Sequence, residues 1–111
     1  MPDKAKIDPY SEIDPYSDPV VEAVFNEFVR AEKHGYAAIR YAFHLDFNAF
    51  KFHTEFFTPL ALAMLRLSLS HWANGREHVA STYNEFFLKC KDYALSNLEG
   101  DELAYFLRQI E

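Results

Sequence analysis

Residues 36–57 read YAAIRYAFHLDFNAFKFHTEFF and hold six of the eleven phenylalanines of the chain. At about 100° per residue, the apolar side chains of this stretch fall on two strips of a helix. The first strip contains Tyr36, Ile39, Phe43, Phe47, Phe50 and Phe57, and the second contains Ala38, Tyr41, Leu45, Phe52 and Phe56. A helix that is apolar on two flanks has to be covered from two sides. The pattern therefore predicts a single helix over 36–57 that is a central element of a bundle or a subunit contact.

A β-strand is the competing interpretation of the same stretch. Tyr41, Phe43, Leu45 and Phe47 alternate with polar or small residues, and aromatic residues favour strands. However, no Asn-Gly or Asp-Gly turn follows the alternation, and the apolar pattern keeps helical phase for about six turns. We therefore favour the helix.

Local signals on either side of this stretch predict further helices. Asp18 followed by Pro19 is typical of an N-cap and a first helical residue, and Gly35 is typical of a helix end. Thr58-Pro59 predicts the start of a third helix, which Asn74-Gly75 ends.

The remainder of the chain predicts two more helices. The apolar stripe of residues 76–98 indicates a fourth helix, and Asp101 can cap a short last one. The predicted fold is all-α, an irregular bundle of four main helices plus a short C-terminal helix, with an extended N-terminal arm. The arm comprises residues 1–17 and the helical-bundle domain comprises residues 18–111.

A duplicated hexad is the most unusual feature of the arm. Residues 7–12 read IDPYSE and residues 13–18 read IDPYSD. Each Asp-Pro-Tyr-Ser is a turn signal, because proline restricts its own backbone and that of the preceding residue. Three interpretations remain open: the arm packs on its own domain or a dimer mate, it is recognised by a separate partner, or it is a flexible leader.

Composition excludes several classes of protein. The 111 residues suffice for one domain, half of them are hydrophobic, and no apolar stretch approaches the roughly 20 residues of a membrane span. With 11 basic against 17 acidic residues the net charge is −6, so we expect no nucleic acid and no membrane as partners. Cys90 is the single cysteine, so no internal disulfide can form, and we expect this thiol to be inert. The lack of an internal disulfide and of an apolar leader predicts a cytoplasmic protein.

The predicted second and third helices carry more apolar surface than three smaller helices can cover. We therefore expect an isologous homodimer with a protein partner surface made of aromatic and aliphatic side chains. The candidate partner-binding residues are Ile7, Tyr10, Ile13, Tyr16, Phe47, Phe52 and Phe56.

Asp46 and His53 lie between the two apolar strips of the predicted helix. One interpretation makes them a metal, haem or proton-transfer site together with His71; the other is a polar contact in the core, such as Asp46 with Arg66. Their spacing of about 10 to 11 Å along a helix is too wide for one small ion.

The expected function is a non-enzymatic protein–protein interaction module, a small adaptor, regulator or assembly factor that acts as a homodimer. We expect no catalytic residue, no bound metal and no cofactor. The alternative is a small-molecule, haem or metal-binding bundle with an aromatic cavity near Asp46, His53 and His71. An acidic mimic of nucleic acid is disfavoured, because acidic and basic residues are interspersed outside the arm.

Overall fold

The computed structural model describes residues 12–111 and contains helices but no strand in this part of the chain. The helices are α1 (Pro19–Glu32), α2 (Tyr36–Phe50), α3 (Thr54–Ala73), α4 (Glu77–Asn97) and α5 (Gly100–Ile110). The all-α prediction is confirmed, and the strand interpretation of the aromatic stretch is wrong.

The start of α1 is as the sequence predicts. The carboxylate of Asp18 accepts hydrogen bonds from the amides of Val20 and Val21, at 3.0 and 3.1 Å. Pro19 occupies the first helical position, where its missing N–H costs no helical hydrogen bond. Between α1 and α2 the chain turns at Gly35, whose φ of +104° lies in a region that other residues rarely adopt.

The aromatic stretch 36–57 forms two helices rather than one. After α2 the amide of His53 bonds to the carbonyl of Phe50 at 2.8 Å, and His53 adopts an extended backbone with φ −129°. The next turn starts at once, because the amide of Phe57 bonds to the carbonyl of His53 at 2.8 Å. The prediction of a single helix over 36–57 is therefore wrong.

As a consequence, α3 begins four residues before the predicted cap at Thr58. Pro59 is the sixth residue of α3, where its missing amide removes one helical hydrogen bond and its ring crowds the carbonyl of Glu55. Phe57, in the first turn of α3, is buried in the core with 1% of its surface exposed.

Helix α3 is the centre of the bundle. It contacts each of the other four helices. Its buried residues are Phe57, Thr58, Pro59, Leu60, Ala61, Leu62, Ala63, Met64, Leu67, Ser68 and His71. In α2, by contrast, only Ile39 and Phe43 are fully buried. The prediction that the stretch around Phe43 is covered from two sides is thus corrected: α3 has that position, and α2 lies at the periphery.

Helices α4 and α5 bury the faces that the sequence predicts. The buried residues of α4 are Ala80, Thr82, Tyr83, Phe86, Phe87, Cys90 and Ala94. Phe86 stacks on Phe43 with ring centroids 4.3 Å apart, which joins α4 to α2. Phe106 of α5 is fully buried and packs on Phe57, with centroids 5.7 Å apart. The aromatic rings around α3 therefore hold the bundle together.

Candidate functional site

One face of α2 and the turn after it are apolar and open to solvent. Tyr41, Leu45 and Phe52 lie on this face and expose 64%, 49% and 75% of their surface. We call these three residues the exposed strip. They belong to the second apolar strip of the sequence pattern, while Ile39 and Phe43 on the opposite side pack into the core. The described chain therefore leaves uncovered a surface that the sequence pattern predicts to be covered.

Charges of opposite sign flank the exposed strip. On the side toward α4, Arg40 lies 3.5 Å from Glu85, and helical spacing places Lys51 on the same side. On the side toward α1, Asp46 faces Glu27. The strip thus lies between a side with Arg40, Lys51 and Glu85, whose charges sum to +1, and a side with Glu27 and Asp46; we call these the basic edge and the acidic edge.

The other two aromatic candidates of this region have different environments. Phe47 is half-buried, with its ring centroid 6.0 Å from that of Phe57 and 5.5 Å from that of Tyr93. It contributes to the chain's own core, and only part of its ring is open to a partner. Phe56 is 38% exposed and lies 5.5 Å from the ring of Phe50. Phe56 therefore remains at the border of the exposed surface.

The second copy of the hexad docks on the bundle. The amide of Ile13 donates a hydrogen bond to Oε1 of Gln109 in α5 at 2.7 Å, and the Ile13 side chain packs against the core. The Asp14 carboxylate accepts from the amide of Tyr16 at 3.0 Å and from the hydroxyl of Ser17 at 2.8 Å, which folds the predicted turn. These hydrogen bonds lower the pKa of Asp14. Ile7 and Tyr10 of the first copy lie outside the described residues.

Arg66 of α3 holds this docked segment. Its guanidinium carbon lies 3.9 Å from the ring centroid of Phe25 and 4.9 Å from that of Tyr16. Nη1 of Arg66 donates to a Glu22 carboxylate oxygen at 2.8 Å and to the carbonyl of Pro15 at 3.3 Å. Arg66 is therefore paired with Glu22, and the suggested contact of Asp46 with Arg66 is wrong.

Asp46 is instead opposite a carboxyl group of α1. Its Oδ2 atom is buried and has no hydrogen-bond partner among residues 12–111. Burial, a hydrogen bond with the Glu27 carboxyl and the negative charge of Glu27 together raise the pKa of Asp46 to about 7. Near neutral pH this group thus exchanges a proton at the contact between α1 and α2.

The three residues of the predicted cofactor site do not come together. His53 is exposed at the start of α3, and His71 lies 18 residues later, about 27 Å along the same helix. Asp46 faces α1. Nowhere between residues 12 and 111 do three His, Cys, Asp or Glu side chains form a group that could hold a metal ion. The geometry does not support one site built from Asp46, His53 and His71.

His71 belongs to a buried polar network that the sequence did not reveal. Nε of Arg76 donates to Nδ1 of His71 at 2.8 Å, so Nδ1 is unprotonated and Nε2 carries the proton. Nε2 donates to Oε2 of Glu32 at 3.0 Å, and the same oxygen accepts from the Tyr83 hydroxyl at 2.7 Å. Burial is the largest cause of a raised Tyr83 pKa, and Glu32 raises it further. Since both ring nitrogens of His71 are engaged, the imidazole positions its neighbours and is not a free base.

A cavity of about 270 Å³ lies beside this network. It is open to solvent on one side and is bordered by the turn between α1 and α2, the start of α2, the end of α3 and the start of α4. Its lining residues are Glu32, Gly35, Tyr36, Ile39, His71, Arg76, Val79 and Thr82. Of the three residues predicted for a cofactor site, only His71 lines this cavity.

Cys90 has the environment expected of an inert thiol. It is fully buried on α4, and burial raises its pKa well above the usual range of a thiol, although nearby Lys89 acts in the opposite direction. A thiol attacks electrophiles as the thiolate, so this environment suppresses its reactivity.

Comparison with known proteins identifies no relative. No family model matches the chain, and neither a curated protein nor a solved structure shows a significant similarity to it. Within residues 12–111, every helix is too short or too polar to cross a membrane.

Proposed function

We propose that this protein is a non-enzymatic interaction module, an adaptor, regulator or assembly factor of the cytoplasm, and that it acts as a homodimer through the exposed strip. The observation that supports this proposal is the exposure of Tyr41, Leu45 and Phe52 on one side of α2 and the turn that follows it. Several large apolar side chains exposed on one side of a small protein are typical of a contact with another macromolecule. Exposed Ala37 and Ala49 beside the strip allow another helix to approach closely.

A second copy of the chain is the partner that the flanking charges favour. The basic edge with Arg40 and Lys51 and the acidic edge with Glu27 and Asp46 make the surface complementary to itself. A twofold axis that runs along α2 places the basic edge of one copy opposite the acidic edge of the other. An axis perpendicular to α2 would place like charges together. The homodimer therefore pairs its two α2 helices in parallel.

Light scattering after size-exclusion chromatography tests the dimer. At micromolar concentration we expect twice the monomer mass of 13.0 kDa. Tyr41→Glu or Phe52→Glu should return the monomer mass, because a carboxylate would be buried against an apolar surface. Leu95→Glu is the matched control, since Leu95 is 51% exposed on α4 and lies outside the strip. A monomeric wild-type chain at this concentration would refute the proposed homodimer.

Cysteine cross-linking tests whether the two α2 helices of the dimer are parallel. In a parallel pair the same residue of both copies meets at the axis, so Tyr41→Cys alone and Phe52→Cys alone should each form a disulfide-linked dimer. In an antiparallel pair the link should form efficiently only when the two variants are mixed. The wild-type chain is the control, because its one cysteine, Cys90, is buried.

A further inference from the structure

We propose that the cavity beside His71 binds a small monocarboxylate with a short apolar body, and that the guanidinium of Arg76 holds the carboxylate. The inference is independent of the homodimer, because Tyr41, Leu45 and Phe52 do not line the cavity.

The network around His71 fixes the orientation of Arg76. Its Nε donates to His71 Nδ1, and His71 is held in turn by Glu32 and by stacking on the Tyr83 ring, with centroids 5.6 Å apart. No side chain of residues 12–111 forms an ion pair or a hydrogen bond with the Nη1 or Nη2 atoms of Arg76. A planar guanidinium with free N–H groups matches a carboxylate through paired hydrogen bonds.

The cavity wall carries one positive charge, on Arg76, and one carboxylate, on Glu32, so it can accept at most one negative charge on a ligand, next to Arg76. Glu32 also lines the cavity, but its Oε2 atom already accepts hydrogen bonds from His71 and Tyr83. Arg76 is the only residue with a fixed positive charge in the lining, so it can neutralise one anionic group. A second negative charge on the ligand would be repelled by Glu32, and a cationic ligand would be repelled by Arg76.

The remaining lining favours an apolar body of limited size. Ile39, Val79 and the Tyr36 ring supply apolar contacts. The volume of about 270 Å³ exceeds the ~150 Å³ of an apolar cavity known to hold benzene, and it lies just below the range of drug-sized pockets. Benzoate and hexanoate are therefore suitable probes.

The proposal is tested by titrating the ¹⁵N-labelled full chain with benzoate and with hexanoate. We expect saturable shifts of the amide resonances of Ile39 and Val79. Benzamide and hexanamide have nearly the same shape without the charge, and we expect them to bind at least about tenfold more weakly. Equal binding of acid and amide, or the absence of saturable shifts at these two amides, would overturn the proposal.

Variants test whether benzoate binds in this cavity. Arg76→Gln should weaken benzoate binding about tenfold or more, whereas Arg30→Gln removes the same charge from an exposed position of α1 and should leave it unchanged. Val79→Phe fills the cavity but keeps Arg76, and it should abolish binding even if Arg76→Gln fails to fold. Undiminished binding by Val79→Phe would show that the probe binds elsewhere and would also refute the site.

Discussion

At the scale of single residues, the contact between Asp46 and Glu27 makes the stability of the bundle depend on pH. The folded chain raises the pKa of Asp46 from 3.8 to about 7, mainly by burial and further through Glu27. Between these two values the unfolded chain releases a proton that the folded chain retains. Stability therefore falls as the pH rises across this window, and the loss is complete above it.

Asp46→Asn should remove this dependence. The variant cannot ionise, so its free energy of unfolding should stay level between about pH 4 and about pH 7 where that of the wild type falls. Above this window the variant should be more stable by about 1 kcal/mol, a value reduced for the partial exposure of Asp46. Urea unfolding at a series of pH values measures both effects. Asp92→Asn, at an exposed position of α4, is the control, and identical curves for Asp46→Asn and wild type would contradict the assignment.

The sequence predicts the burial of some polar residues but not their partners. His53, predicted to lie between two apolar strips, is exposed. Helical spacing puts His71 on one face with Leu60, Met64 and Leu67, and all four are buried. It also placed Cys90 on the buried stripe of α4. The partners Glu32 and Arg76 lie on α1 and just before α4, and no local pattern shows that two distant helix ends converge.

At the scale of elements, α1 and α3 differ in how their first turns are capped. The Asp18 carboxylate caps α1, whereas His53, the N-cap of α3, makes no side-chain hydrogen bond to the helix. An uncapped first turn leaves amide groups without a protein partner. A capping side chain at the start of α3 should therefore stabilise this helix.

Adding a cap to α3 and removing the cap of α1 should change the free energy of unfolding in opposite directions. His53→Asp should raise the free energy of unfolding by about 1 kcal/mol, because the new carboxylate can accept from the first-turn amides. Asp18→Ala should lower it by a similar amount, about 1 kcal/mol, because it removes the two existing hydrogen bonds. Urea unfolding at constant pH measures both. A loss of stability in His53→Asp would show that the imidazole has a role that its exposure does not indicate.

The sequence did not predict the break between α2 and α3. No glycine or proline lies between Phe50 and Thr54, so the usual signals of a helix end are absent. The signal that was present, Thr58-Pro59, was misleading because Pro59 lies inside α3 and not at its first position. The break follows from packing, since it brings Phe57 to Phe47, Tyr93 and Phe106.

At the scale of the whole molecule, Arg66 joins the docked second hexad to the bundle. It contacts Tyr16 and Pro15 of that segment and Phe25 and Glu22 of α1. Its side chain is only 17% exposed, so the ion pair with Glu22 is less screened by solvent than a surface pair. Arg66 therefore holds Pro15 and Tyr16 on the bundle, beside the separate contacts that Ile13 makes with Gln109 and the core.

Arg66→Met should release the segment while retaining an apolar stem at this position. We expect a loss of stability of about 1 to 2 kcal/mol, from the ion pair and the two aromatic contacts. The Ile13 amide, now bonded to Gln109, should exchange its hydrogen faster in the variant. Arg40→Met is the control, because the pair of Arg40 with Glu85 is long and exposed and should contribute less than about 0.5 kcal/mol. Unchanged exchange at Ile13 in Arg66→Met would contradict this account.

The sequence predicts the type of fold but not which helix lies at the centre of the bundle. Apolar periodicity identifies five amphipathic segments and hence an all-α bundle. It cannot rank two apolar helices by burial, because that depends on which neighbours each one receives. Helix α3 has four neighbours, and α2 keeps Tyr41, Leu45 and Phe52 on an open side.

The hydrogen bond from Ile13 to Gln109 joins residues 96 positions apart in the chain. During synthesis this contact cannot form until almost the whole domain has left the ribosome. Bringing such distant residues together also carries a high entropic cost of loop closure, which favours late formation. Tyr16 and Pro15, in contrast, can reach Arg66 as soon as α3 has been made, so only the contact of Ile13 with α5 has to wait until Gln109 has been added.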